Sequence, residues 1–176
     1  MQYAISILLS GVSLGGQYAL IAIGYTMVYG ILRLINFAHG DVFMVAGLMM
    51  VYLTAGLPLA ASIPLVLVLT VLLGFVIERA AYKPLREAPR MSVMISAIGV
   101  SYLLQNLATY VTGGLPQMYP EIPGISNTIT IAGVPTKVVT VVTPVLVLAL
   151  VLALTQLIHH TKVGMAMRAV AKDFET

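Results

Sequence analysis

The sequence predicts an all-α integral membrane protein, a polytopic helical bundle of about five transmembrane helices. Three observations carry this. Of the 176 residues, 60% are hydrophobic and only 9% are charged, against roughly 45–50% and about 25% in ordinary soluble domains. Segments 1–32, 42–77, 91–120 and 138–158 contain no Asp, Glu, Lys or Arg, and about 20 mostly apolar residues suffice for a crossing. The charges that remain are gathered, chiefly in Glu78–Arg90 and Lys162–Glu175. Such a chain cannot clothe a soluble fold in charge, which excludes a soluble enzyme, a disordered chain and a nucleic-acid binder. With no cysteine, disulfides and thiolate metal sites are excluded. The N-terminus lacks a basic stretch, so no cleaved signal peptide is expected.

In order along the chain, the first apolar stretch runs from about Ala4 to Leu32 and exceeds one crossing. Its Gly11 and Gly15 form a G-x-x-x-G that suits close approach of another helix. A second stretch runs from about Leu34 to Leu53, and a third from about Leu59 to Ile77, with Ser62 as a cap candidate and Pro64 suited to the first turn. Residues 78–90 read as a polar cytoplasmic loop in which Pro84 and Pro89 stop any helix. The fourth span is about Ser92 to Thr112. Residues 113–137 form an external connection whose Asn127-Thr-Ile-Thr-Ile-Ala-Gly133 alternates polar and apolar residues, as a short strand or hairpin does. A fifth span, about Val138 to Ile158, contains Pro144. Residues 159–176 are a basic tail, with a helix expected to start after Gly164.

Orientation follows from the basic residues, which favour the cytoplasmic side. Loop 78–90 has four Lys or Arg and tail 159–176 has three, against one in 113–137. Five crossings put loop and tail inside and the N-terminus outside. The second stretch is the uncertain crossing in this count, because it opens on polar residues.

Asn36, His39, Gly40 and Asp41 form the sharpest polar cluster. At helical spacing Asn36, His39 and Gly40 share one face. Two readings stand: a polar patch on a translocation route or gate, and a helix start at the cytoplasmic interface where polar groups meet water. Gln105 and Asn106, in mid-span, either bond across helices or face a polar path. Neither a hydrolytic constellation, nor a Walker loop, nor a pair of carboxylates within one span is present. One His and one Asp are a poor metal set; no cofactor is expected. In the tail, Met165, Ala169 and Lys172 share a stripe, and a basic helix lying on lipid is the alternative to a protein-docking helix.

Three passages resemble the membrane permeases of branched-chain amino acid ABC importers, the LivH/LivM type. They are Gly15-Gly-Gln-Tyr-Ala-Leu-Ile-Ala-Ile-Gly-Tyr-Thr-Met-Val-Tyr-Gly30, the highly specific Ile35-Asn-Phe-Ala-His-Gly-Asp41, and Thr161-Lys-Val-Gly-Met-Ala-Met-Arg-Ala-Val-Ala-Lys-Asp173; Glu78-Arg79 and Tyr82-Lys-Pro-Leu-Arg86 also fit. The resemblance implies one transmembrane permease domain over 1–176, multi-pass in the inner membrane. It implies as partners a second homologous permease, two ATPase subunits at the cytoplasmic face and a soluble substrate-binding protein outside. The substrates implied are leucine, isoleucine and valine; relatives handle amides or urea. An ATP-independent carrier and a non-transporting scaffold remain as alternatives. The candidate pathway residues are Asn36, His39, Asp41, Gln105 and Asn106. Residues 159–176 resemble the start of the cytoplasmic coupling segment, with Gly164, Arg168, Ala169 and Asp173 as candidate ATPase contacts and Gly164 releasing the helix from what precedes it. Family chains are longer, so a fragment or a truncated product is expected.

Overall fold

A computed structural model describes residues 2–32, 35–85, 87–119, 126–131 and 133–172. The chain forms two compact units, Leu34–Pro120 and the pairing of Met1–Arg33 with Glu121–Thr176.

The discontinuous unit contains α1 (Gln2–Leu32), a hairpin of β1 (Thr128–Ile131) and β2 (Val134–Lys137), α5 (Val138–His160) and α6 (Lys162–Lys172). At 1.5 Å per residue the 31-residue α1 measures about 46 Å, longer than the hydrocarbon core. It packs along α5. Their contact falls at Gly16, where an added Cβ would meet Val147 at 3.5 Å; Gly11 and Gly15 have nothing within that reach. The expected G-x-x-x-G is therefore not where α1 and α5 meet. The alternation after Asn127 does form a hairpin, antiparallel with Thr128 opposite Lys137. Gly133 turns it at φ 80°, a left-handed conformation that glycine adopts without penalty. Asn127 accepts the Val138 amide at 2.9 Å, so the hairpin runs directly into α5.

The continuous unit contains α2 (His39–Thr54), α3 (Leu59–Ile77) and α4 (Arg90–Thr112). The 16-residue α2 measures about 24 Å, short of a full crossing. The expected start near Leu34 is corrected to His39. The reason is Asn36, whose side-chain oxygen accepts the Ala38 amide at 3.0 Å. That local turn competes with the helix and holds Ile35–Ala38 outside it. Asn36 consequently does not share a helical face with His39 and Gly40.

At the start of α3, Pro58 occupies the capping position. Ser62 is not a cap: it lies fully buried inside the helix and donates back to the carbonyls of Leu57 and Pro58 at 3.4 and 3.2 Å. Pro64 lies inside α3 and Pro144 inside α5, as membrane helices tolerate. The loop expected at 78–90 is helical over most of its length. A π-helical turn, Glu78–Tyr82, and a 3₁₀ turn, Lys83–Leu85, prolong α3, and Pro84 falls in the 3₁₀ turn without stopping it. Residues 87–89 lie outside any helix, and α4 begins directly after Pro89.

Burial is inverted relative to a soluble protein. Val71 is 73% exposed and Val145 66%, while the most deeply buried positions are the small residues Ala38, Ser62 and Ala97. Small residues let helices approach closely, and large apolar ones face the lipid. Among the described residues four helices are long and apolar enough to cross a membrane, and α2 is a shorter fifth. The helical membrane fold expected from the sequence is the one observed.

Candidate functional site

Three side chains converge between α2 and α4. Ser101 donates its hydroxyl to Asp41 Oδ2. Gln105 donates its amide to Asp41 Oδ1 at 3.0 Å and to Ser101 Oγ at 3.1 Å. The wiring closes: the amide supplies two hydrogens, the hydroxyl one, and the carboxylate accepts on both oxygens. Ser101 and Gln105 are four apart on one face of α4, which lets both reach one partner.

The depth of this cluster is its main property. Ser101 lies eleven residues from Arg90 and eleven from Thr112, at the centre of α4. Asp41, in the first turn of α2, is therefore held about 16 Å from either end of a spanning helix. Of the two readings of the Asn36–Asp41 cluster, the polar patch is the one that this position at mid-helix supports. Short helices that begin within the membrane are tolerated where they line a cavity or are covered by protein.

A second junction lies beside it. Tyr82, in the π-helical turn, donates to Asn36 Oδ1 at 2.6 Å, and Ser96 donates to the Ala81 carbonyl at 3.1 Å. A π-turn shifts backbone pairing by one residue and frees carbonyls, here taken up by α4. Tyr82→Phe removes a single donor between neutral groups. It should lower stability by about 1 kcal/mol, read as a small fall in melting temperature of the detergent-solubilised protein; an unchanged value would show the bond contributes nothing.

The structure thus brings together Asp41 and Gln105 of the candidate pathway residues. It sets Asn36 on Tyr82, and places His39, half-buried, at the first position of α2. Asn106 is elsewhere: its amide donates to the Tyr102 carbonyl of its own helix at 2.7 Å. Ser101 and Tyr82 were not among the candidates. The i, i+4 relation of Ser101 to Gln105 was a usable signal for the first; none pointed to the second. Among the described residues no group of three His, Cys, Asp or Glu side chains gathers to hold a metal.

The tail is built around Thr161. Its hydroxyl donates to the Leu157 carbonyl at 2.5 Å and accepts the Gly164 amide at 3.1 Å, ending α5 and capping α6 with one side chain. The helix expected to start after Gly164 starts at Lys162, with Gly164 buried in its first turn. An added Cβ there would lie 2.2 Å from the Ile158 carbonyl oxygen, so Gly164 does not release α6; it lets α6 seat against α5. Arg168 reaches the His159 carbonyl at 3.4 Å, a cation at the negative end of α5. Ala169 is exposed, and Asp173 lies outside the described residues.

Long apolar helices with polar clusters between them define a multi-pass helical membrane protein. Residues 7–176 match the family described as branched-chain amino acid transport system, permease component, and the chain belongs to that family. It is 39% identical to the LivH permease protein of the high-affinity branched-chain amino acid transport system of Escherichia coli K12, over 98% of this chain and 60% of that protein. The corresponding protein of Salmonella typhimurium is 38% identical over the same shares. The BraD permease protein of Pseudomonas aeruginosa is 35% identical, over 96% of this chain and 59% of that protein. The chain spans about three fifths of the length of these relatives. No solved structure matches it.

Proposed function

We propose that this chain belongs to the membrane-spanning permease of an ATP-binding-cassette importer that carries branched-chain amino acids across the inner membrane. The observation that carries the reading is identity of 35–39% to named branched-chain amino acid permeases along nearly the whole chain. The mid-depth cluster of Asp41, Ser101 and Gln105 supports it, since polar groups at that depth belong to a route or a gate. The permease catalyses no covalent step. It supplies contacts that differ between inward- and outward-facing states, and two cytoplasmic ATPase subunits bias the exchange. A second, related permease completes the pathway, and a soluble binding protein delivers substrate from outside. Asn36, His39, Asp41 and Gln105 are the pathway residues; Asn106, bonded within its own helix, is not one of them.

Loop 78–90 and tail 159–176 face the cytoplasm in this reading. Because α4 and α5 are both long enough to cross, these two basic segments share a side whether or not α2 crosses. Only the side of the N-terminus depends on α2. The tail then meets the ATPase through α6, with Arg168, Ala169 and Asp173 in the contact and Gly164 seating the helix on α5.

Deleting the ATPase partner should abolish leucine uptake; uptake that persists would show an ATP-independent carrier. Uptake of an amide or urea in place of leucine would reassign the substrate. Arg168→Glu should keep the protein in the membrane while ATP hydrolysis ceases to respond to the loaded binding protein. A normal response in that variant removes Arg168 from the coupling contact.

A further inference from the structure

We propose that Asp41, held by Ser101 and Gln105, is the seat for the ammonium group of the transported amino acid. The inference rests on the branched-chain amino acid reading above. Three observations converge on it. The carboxylate is at the centre of α4's length, where a charge is costly unless it finds a partner. Among the described residues, the side chains that reach it are a hydroxyl and a carboxamide, neutral donors that bring no positive charge. They occupy two of the roughly four acceptor positions on the carboxylate and aim its oxygens, leaving the others for a third donor. Within this chain the cluster is also open: Gln105 is exposed, and Asp41 and Ser101 are only half-buried.

A primary ammonium suits this seat, with three donors and one compact charge. A metal ion does not, because a single carboxylate with an amide nitrogen and a hydroxyl already bound to each other is a thin ligand set. The same charge repels the substrate's own carboxylate, so an amino acid would enter in one orientation. Asp41 would then select the zwitterion over the corresponding acid, and the apolar side chain would be read elsewhere.

These 176 residues contain no cysteine, and any in the remainder of the permease is replaced before a thiol is introduced. Ala108 lies three residues beyond Gln105 and seven beyond Ser101, on the same face of α4 and half-buried. Ala108→Cys is the first reporter, and Gln105→Cys, at an exposed position, is the second. Each is introduced into the full-length permease, assembled with its partners in membrane vesicles. The cationic reagent 2-aminoethyl methanethiosulfonate should label the thiol at least about tenfold faster than the anionic 2-sulfonatoethyl reagent, the gain expected of a focused charge. Asp41→Asn, nearly isosteric, should abolish that preference, and Asp41→Glu should restore part of it. Leucine and 3-methylbutylamine should slow labelling; 4-methylpentanoate, the same skeleton without the amine, should not.

The proposal is overturned by equal labelling rates for the two reagents at both positions, by a preference that survives Asp41→Asn, or by protection from 4-methylpentanoate equal to that from leucine. Leucine uptake by vesicles carrying the native permease separates the two levels. Uptake without charge preference retains the importer and removes the seat. Charge preference without leucine uptake overturns the substrate reading on which the seat depends.

Discussion

Replacing Gly164 by Ala will free α6 from the end of α5. The methyl group would lie 2.2 Å from the Ile158 carbonyl oxygen and 2.5 Å from both Ile158 C and Cα. All three are backbone atoms, so no side chain can rotate away. Either α5 loses its last turn or α6 lifts. Overpacking of this kind costs about 1–3 kcal/mol where side chains can yield, and backbone contacts place this case at the upper end. Lifting α6 also breaks the Thr161–Gly164 cap, of typically about 1 kcal/mol. Every 1.4 kcal/mol is roughly a factor of ten in an opening equilibrium. Amide exchange across residues 162–172 should therefore accelerate by about two orders of magnitude. The spanning helices should keep their protection, because α6 is a short helix of 11 residues outside the spans. Thr161→Val supplies the comparison, since it removes both hydroxyl bonds without introducing a clash at Gly164, and should accelerate exchange by about tenfold only. Equal protection of α6 in the Gly164→Ala protein and the native protein would show that the seat against Ile158 does not hold the helix.

That prediction turns on a glycine whose role is invisible in the sequence. Gly164 has the appearance of a hinge there, being a glycine between a spanning helix and a basic tail. Its actual constraint is the space left by a carbonyl six residues earlier, set by how sharply Thr161 turns the chain. The long spans were legible because hydrophobicity over about 20 residues overrides local preference. Thus α3 runs over Leu59–Ile77 as expected, and α5 begins at Val138. The hairpin was legible from alternation alone. What failed were the places where one polar side chain redirects the backbone. Ile35, Phe37 and Ala38 are apolar and read as helix, yet the Asn36 turn holds them out. Pro84 read as a stop, yet the helix passes through it in a tighter form. The candidate site shows the same division. The i, i+4 pair on α4 could be found locally, whereas a separation of 64 positions between Asp41 and Gln105 leaves no local trace of their contact. Their meeting depends on where α2 starts, which is the feature the Asn36 turn decides.

Removing both donors from Asp41 should have the largest effect in the continuous unit. In Ser101→Ala/Gln105→Leu the carboxylate keeps its depth and loses its hydrogen bonds to Ser101 and Gln105 of α4. Cross-helix hydrogen bonds between neutral groups in membranes average only about 0.6 kcal/mol. Bonds to a charged group contribute about 1.5–3 kcal/mol, and stranding a charge costs about 3–5 kcal/mol. Partial exposure of the site argues for the lower part of that range, about 2–3 kcal/mol. The full permease in detergent should then melt several degrees lower and lose resistance to proteolysis at the 55–58 turn, where α2 joins α3. Adding Asp41→Leu removes the stranded charge and should recover most of the loss, giving a coupling energy well above 1 kcal/mol in the double-mutant cycle. Transport separates these proteins in a way stability does not. The triple variant should be folded and present in the membrane, yet inactive in leucine uptake, because the polar contact at mid-depth is gone. A coupling energy near 0.6 kcal/mol would show that the Asp41 bonds have ordinary neutral strength. Leucine uptake at the native rate by the triple variant would remove the cluster from the pathway altogether.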